Sequence, residues 1–214
     1  MLISDSHKFI FVHIRKSAGS SLRDTLEPLS LPKPTSPVAK VKSRFLKMEN
    51  DYRKFAFRQH NEIRVAKKVL PDEIFNSYFK FAFVRNPWDR LVSEYEFIRR
   101  RPNHGRHSKV IRMEFDEYIV YQSKRRDAHQ IDMLADKQGN LLMDFVGKFE
   151  NLEKDWLYVA KKLGIENKEL GHRKKSKIKD YKAYYTQENW DLVADLWHRD
   201  IDAFGYGDMK YRKN

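Results

Sequence analysis

The residues Lys16-Ser17-Ala18-Gly19-Ser20-Ser21 join a mobile positive charge to small side chains and hydroxyls, just where a helical pattern begins. Backbone N–H groups at a helix start make a pocket for a tetrahedral anion when nothing bulky crowds them. A lysine there can follow charge onto a leaving oxygen. A tight turn with a serine cap fits the same residues. A second constellation lies downstream: Arg85 ends an apolar run, and Ser93 sits about two turns into the next helix at a rise of roughly 1.5 Å per residue. Two anion sites at strand ends suit a ligand with two separated anionic groups. The competing readings are an Arg85 that caps the helix or pairs with Asp89, and a solvated Ser93. The ATP-type loop G-x-x-x-x-G-K-[ST] is absent, because Gly19 is the loop's only glycine and the lysine precedes it.

These residues need elements to hold them. The apolar run Phe9 to Ile14 predicts a buried strand, and Leu22 and Leu26 predict the helix after the loop. Pro28 to Lys42 holds four of the seven prolines, so residues 28–44 are expected to form an exposed, flexible loop. Ile63, Ala66, Val69 and Leu70 predict a helix with Asn61 as N-cap, stopped by Pro71. Phe79 to Val84 reads as a strand interrupted only by Lys80, with Asn86 and Pro87 opening a helix through Leu91, Tyr95 and Ile98. A strand is expected around Phe149, then a helix with Leu152, Trp156, Val159 and Leu163 on one face, closed by Gly164. A last helix runs from Thr186 to Gly205, with Trp190, Val193, Trp197 and Ile201 on one stripe. Strands separated by helices argue for an α/β fold with a central parallel sheet. In such sheets ligands bind at the carboxyl ends of strands, which is where Arg85 falls.

The chain has 214 residues, enough for one domain, 1–214, with a sizeable core. A net charge of +13 favours anionic partners. There is no cysteine, which excludes disulfides, thiolate metal sites and thiol nucleophiles. No histidine pair has metal-ligand spacing with a third ligand, so no metal is expected. The apolar run near the N-terminus is too short to span a membrane and lacks the form of a signal peptide, so the expected location is the cytoplasm.

"FVHIRKSAGSSL" followed by "YFKFAFVRNPWDRLVSEY" resembles the two nucleotide-binding motifs of the family 2 sulfotransferases, a group that includes carbohydrate sulfotransferases. The likeness continues through "GNLLMDFVGKFENLEKDW", "KDYKAYYTQE" and "DIDAFGYG", and so spans nearly the whole chain. It implies a P-loop-like three-layer fold, its central parallel sheet flanked by helices. It also implies a co-substrate, 3′-phosphoadenosine 5′-phosphosulfate (PAPS), whose product is adenosine 3′,5′-bisphosphate, and a hydroxyl acceptor of carbohydrate or other anionic type. Carried over by position, Lys16, Ser17, Ala18, Gly19, Ser20 and Ser21 surround the 5′-phosphosulfate, and Arg85 and Ser93 take the 3′-phosphate. Lys174 and Ser176 are carried over from a late basic segment that resembles the part closing over the nucleotide. The family usually has proline where Arg15 stands; arginine gives up the fixed backbone angle and offers a phosphate contact or a group to meet an acidic acceptor. Such a reaction needs a base. His60 is the candidate, since it precedes a predicted helix whose N-terminus disfavours imidazolium. Glu62 and Glu94 are the alternatives.

Two other readings stand beside this one. A nucleotide kinase or other P-loop NTPase would need the missing G-K-[ST] loop. A nucleic-acid-binding module would use the basic segments, of which residues 97–112 hold six Lys/Arg and no acid. That reading predicts a steep salt dependence, and no stable nucleic acid partner is expected.

Overall fold

A computed structural model describes residues 1–32, 51–165, 170 and 180–211. In chain order its strands and α-helices are β1 (Leu2–Ser4), β2 (Phe9–Val12), α1 (Gly19–Leu26), α2 (Ile63–Val69), α3 (Asp72–Ser77), β3 (Phe79–Val84), α4 (Pro87–Arg99), α5 (His107–Val110), α6 (Phe115–Ser123), α7 (Ile131–Leu134), β4 (Phe145–Lys148), α8 (Leu152–Lys162), α9 (Gln187–Leu196) and α10 (His198–Phe204). The chain falls into two compact units, Met1–Phe83 with Asp132–Arg173, and Val84–Ile131 with Lys174–Asn214.

The first unit is built on a sheet of order β1-β2-β3-β4. β2 and β3 pair in parallel, Phe9 opposite Phe79 and Phe11 opposite Phe81, as expected of an α/β sheet. β1 adds an antiparallel edge to β2 that the sequence pattern did not predict. Every residue of β2 is buried, and so are Phe81 to Val84 of β3, the signature of strands covered on both faces. Phe9, Phe11, Phe81 and Phe83 lie on one face, and Leu22 and Leu26 of α1 and Trp156, Val159 and Ala160 of α8 pack there in one cluster. Gly147 of β4 is required by this packing: a Cβ there would lie 2.6 Å from the Phe83 ring. Lys80 points to the opposite face yet is buried, because its ammonium donates to the carbonyls of Phe75 and Tyr78 and pairs with Asp144 at 2.8 Å.

Several expectations need correction. β2 ends at Val12, so His13 and Ile14 leave the sheet while staying buried. Phe149 lies in a 3-10 turn, Phe149–Asn151, and the strand is β4 before it. The N-cap of α2 is Glu62, not Asn61, whose side-chain oxygen instead accepts from the Arg58 N–H. Pro28 and Leu29 belong to a 3-10 turn, Glu27–Leu29, pinned to β1 by the Leu31 N–H donating to Ile3 O at 2.7 Å; the rest of the expected loop, 33–44, lies outside the described residues.

In the second unit, α4 opens as predicted. Asn86 accepts from the Asp89 N–H at 2.8 Å and Pro87 occupies the first turn. Thr186 caps α9 in a capping box with Asn189. Trp190 stacks on Trp88 at 4.5 Å. The expected single C-terminal helix is two, because the backbone leaves helical geometry at Trp197 (φ −112°, ψ 18°), whose buried indole donates to Ala128 O. Gly205 ends α10 in left-handed conformation (φ 63°), the common helix stop.

Candidate functional site

One candidate cluster lies in the first unit, between β2 and α1. Two of its residues without glycine's freedom hold left-handed backbone: Lys16 at φ 65° and Ala18 at φ 58°. Such conformations cost on the order of 1–3 kcal/mol each and persist where the surroundings demand them. The other described non-glycine residue with positive φ, Lys8, sits in the β1–β2 turn. Alternating left-handed residues turn successive N–H groups into one concavity, a nest for an anion. Ala18 is the N-cap of α1 and has no side-chain oxygen with which to cap it. The N-cap position is thus taken by Ala18 and not by a serine. The positive end of α1 opens onto the loop. Ser17 is 1% exposed, Ser20 is exposed, and Arg15, Lys16, Ala18 and Ser21 are half-buried.

His13 closes the loop from the side of β2. It is 4% exposed, and its imidazole edge lies so close to Gly19 that a Cβ on Gly19 would fall 2.0 Å from His13 Cδ2. Only glycine fits there. Burial first, and next the neighbouring His60, push His13 down to a pKa of about 3, so the ring is neutral. Its folded pKa lies below the ordinary value of about 6.5, so the unfolded chain takes up the proton first as pH falls. The stability that neutral His13 contributes is complete above about pH 6.5 and is lost progressively as pH drops toward about 3. A denaturant series across that window is expected to show this slope, and a shallower one for His13→Asn; equal slopes would assign the loss to other groups.

His60 stands two residues before the N-cap of α2, too far out for the helix dipole expected to hold it neutral. Its tertiary contacts are different ones. His60 Nδ1 lies 3.0 Å from His13 O, and the two rings meet edge-on at 4.7 Å. The alternative bases are engaged in ion pairs: Glu62 holds Arg64, and the buried Glu94 of the second unit holds Arg106.

A separate candidate cluster lies in the second unit, at the start of α4. Arg85 is 6% exposed and takes the ion-paired role left open by its sequence: its guanidinium binds Asp89 through Nε (2.8 Å) and Nη2. Ser93 is 6% exposed, a buried residue and not a solvated one. Sequence reasoning missed what holds this junction. Gln130 Oε1 accepts from the Arg85 N–H at 3.0 Å and Gln130 Nε2 donates to Arg85 O at 2.8 Å, a clamp on the backbone. Asp200, 0% exposed, accepts in turn from the N–H groups of Gln130 (2.8 Å) and Ile131 (2.9 Å), with Arg90 3.8 Å away. The available signal was an aspartate set into the apolar stripe of Trp197, Ile201 and Phe204. Asp200→Asn is expected to cost about 1–3 kcal/mol, because its amide would present N–H to donors and Arg90 would lose its counter-charge. Urea unfolding measures it; a change within about 0.5 kcal/mol, the range of surface substitutions, would remove Asp200 from this role.

Lys174 and Ser176 lie outside the described residues. The basic segment 97–112 is less open than its composition implies: Arg106 turns inward to Glu94 and Gln122, and Arg101 lies over the Phe97 ring at 3.9 Å. Among the described residues no group of three or more His, Asp or Glu is arranged to hold a metal ion. Nor is any helix among them long and apolar enough to cross a membrane.

A strand, a turn holding Lys16 and a helix are followed by a parallel strand that ends at Val84, just before Arg85, and comparison with known proteins decides the family. The family model described as Sulfotransferase family matches residues 1–207. The chain belongs to the sulfotransferase family. It is 28% identical over 191 residues to carbohydrate sulfotransferase 14 of Danio rerio, an alignment covering 77% of this chain and 48% of that protein, so the chain spans about half of that relative's length. An uncharacterized protein of Archaeoglobus fulgidus is 35% identical over 108 residues, covering 48% of this chain and 77% of that one. Among solved structures, mouse sulfotransferase SULT7A1 complexed with PAP superposes with a TM-score of 0.54 at 15% identity, covering 94% of this chain and 86% of that one, a likeness of fold.

Proposed function

We propose that this sulfotransferase-family chain moves a sulfuryl group from PAPS to a hydroxyl of a carbohydrate acceptor. The observation that carries the proposal is the loop at the start of α1, where Lys16 and Ala18 hold left-handed backbone and Ala18 is the helix N-cap. Strain of this kind is retained where it builds an anion cradle. The donor's 5′-phosphosulfate fits residues 15–21, with Lys16 supplying charge to the leaving phosphate oxygen. Arg85 and Ser93 are assigned to the 3′-phosphate, and Lys174 and Ser176 to closure over the nucleotide. In the reaction the acceptor oxygen bonds to sulfur, the bridging S–O bond breaks toward adenosine 3′,5′-bisphosphate, and His60 takes the acceptor's proton. This set supplies its positive charge from side chains and amides, so the proposal includes no metal. The acceptor class rests on the motif likeness and on the name of the Danio rerio relative.

The direct test is a melting curve with adenosine 3′,5′-bisphosphate in the absence of magnesium, followed by labelled sulfate transfer from PAPS to a panel of glycans. A rise in melting temperature that grows with nucleotide concentration is expected. No shift at millimolar nucleotide would overturn the proposal, and transfer only to non-glycan alcohols would overturn the acceptor class.

Arg85→Ala provides a finer check. A charge-assisted hydrogen bond contributes roughly 1.5–3 kcal/mol, so affinity for adenosine 3′,5′-bisphosphate is expected to fall about tenfold or more relative to adenosine 5′-monophosphate. The substitution also leaves Asp89 without its arginine, which weakens the fold for both ligands alike. The ratio of the two affinities, measured calorimetrically, isolates the 3′-phosphate contact, and an unchanged ratio would remove Arg85 from it.

A further inference from the structure

One residue touches both the anion loop and the candidate base. His13 is the first residue past β2, and its two ends face different neighbours. Its backbone oxygen lies 3.0 Å from His60 Nδ1. A carbonyl can only accept, so Nδ1 is the donor and carries the proton. Its imidazole lies against the first residue of α1: a Cβ on Gly19 would fall 2.0 Å from Cδ2 and 2.2 Å from Nε2 of the ring. Gln59 Nε2, 3.1 Å from His13 Nδ1, holds the same ring from the other side, and the His60 ring meets it edge-on at 4.7 Å.

We infer that His13 is the positioning residue of this site: it gives the neutral form of His60 the Nδ1–H tautomer, with the lone pair on Nε2, and ties that arrangement to the start of α1. The inference builds on the reading of His60 as base. A neutral imidazole has one donor nitrogen and one acceptor nitrogen, and the hydrogen bond made by one decides the role of the other. With Nδ1–H given to His13 O, Nε2 is the atom that can receive a proton. When it does, the acceptor oxygen keeps the electron pair for its bond to sulfur, and the imidazolium that forms retains its Nδ1–H bond to the carbonyl. A His60 with its proton on Nε2 would face an acceptor hydroxyl as a donor and could not take its proton. The contact with Gly19 gives this local bond a link to the loop. Displacing the ring of His13 from α1 must move either the carbonyl that receives His60 or the ring that His60 packs against.

Side-chain nitrogen chemical shifts of isotopically labelled protein without nucleotide test both halves, with the His60 signals assigned by their absence from His60→Gln. At a pH above the ordinary histidine value of about 6.5, wild-type His60 is expected to show a protonated Nδ1 and an unprotonated Nε2. A protonated Nε2 would overturn the inference, and this measurement needs no folded variant. Gly19→Ala is expected to force the His13 ring aside and to turn the His60 signals into an average of the two tautomers. His13→Ala in the Gly19→Ala background gives the new methyl room and keeps the backbone oxygen of residue 13, so the Nδ1–H tautomer should return there; an average that persisted would overturn that oxygen as the group that sets it. A pure Nδ1–H His60 in a folded Gly19→Ala protein would sink the link to α1. These readouts are independent of turnover: a His60→Ala protein that keeps its kcat would refute His60 as base and leave the tautomer result standing.

Discussion

Lys16→Ala is expected to lower sulfuryl transfer at least about 10²-fold while the protein stays folded, the scale of losing one preorganised charge contact to a developing oxyanion. The substitution is clean at the backbone. Lys16 sits at φ 65°, and alanine, which also carries a Cβ, meets about the same strain there that lysine does. What disappears is the Lys16 ammonium. The effect belongs in kcat more than in nucleotide affinity, because the charge to be stabilised grows as the bridging oxygen departs. Lys16→Arg makes the informative comparison: it restores charge with a planar, bulkier head and is expected to recover activity only in part. Rates on any accepted acceptor, with circular dichroism to verify the fold, decide the matter. A folded Lys16→Ala protein with near-normal turnover would disprove the assignment of the loop to the leaving group.

His60→Ala is expected to lose roughly 10² to 10⁴-fold in kcat, the usual contribution of a positioned general base, with nucleotide binding unchanged. Wild-type activity should fall on the acid side of the pH–rate profile as the base is protonated, and the variant should lack that limb. The engagement of Glu62 with Arg64 and of Glu94 with Arg106 leaves neither carboxylate as a ready substitute. A variant that keeps most of its kcat and the same acid limb would make His60 a support for His13 only. Adenosine 3′,5′-bisphosphate titrations run beside the kinetics separate this from a general loosening of the loop, which would weaken binding as well.

The sequence by itself determined the elements whose causes are local. β3 follows from an apolar run broken only by Lys80, and α4 from Asn86 and Pro87 at its start. α8 follows from its apolar spacing and the left-handed Gly164 (φ 66°) beyond it. The place of the turn between β2 and α1 is legible for the same reason: small residues stand between a strand pattern and a helix pattern. Tertiary structure decided the rest, and the deciding contacts are long in sequence. β2 stops at Val12 because His13 is claimed by Gly19, Gln59 and His60, the last two 46 and 47 residues away. Arg85 is held by Gln130 at a separation of 45, and Gln130 by Asp200 at 70. Lys80 can occupy a buried strand because the chain brings Asp144 to it, 64 residues on. A polar side chain satisfied by a distant partner has the same composition, spacing and charge as one satisfied by water. Periodicity therefore sees both as breaks in an apolar pattern, and only the folded chain says which donor meets which acceptor.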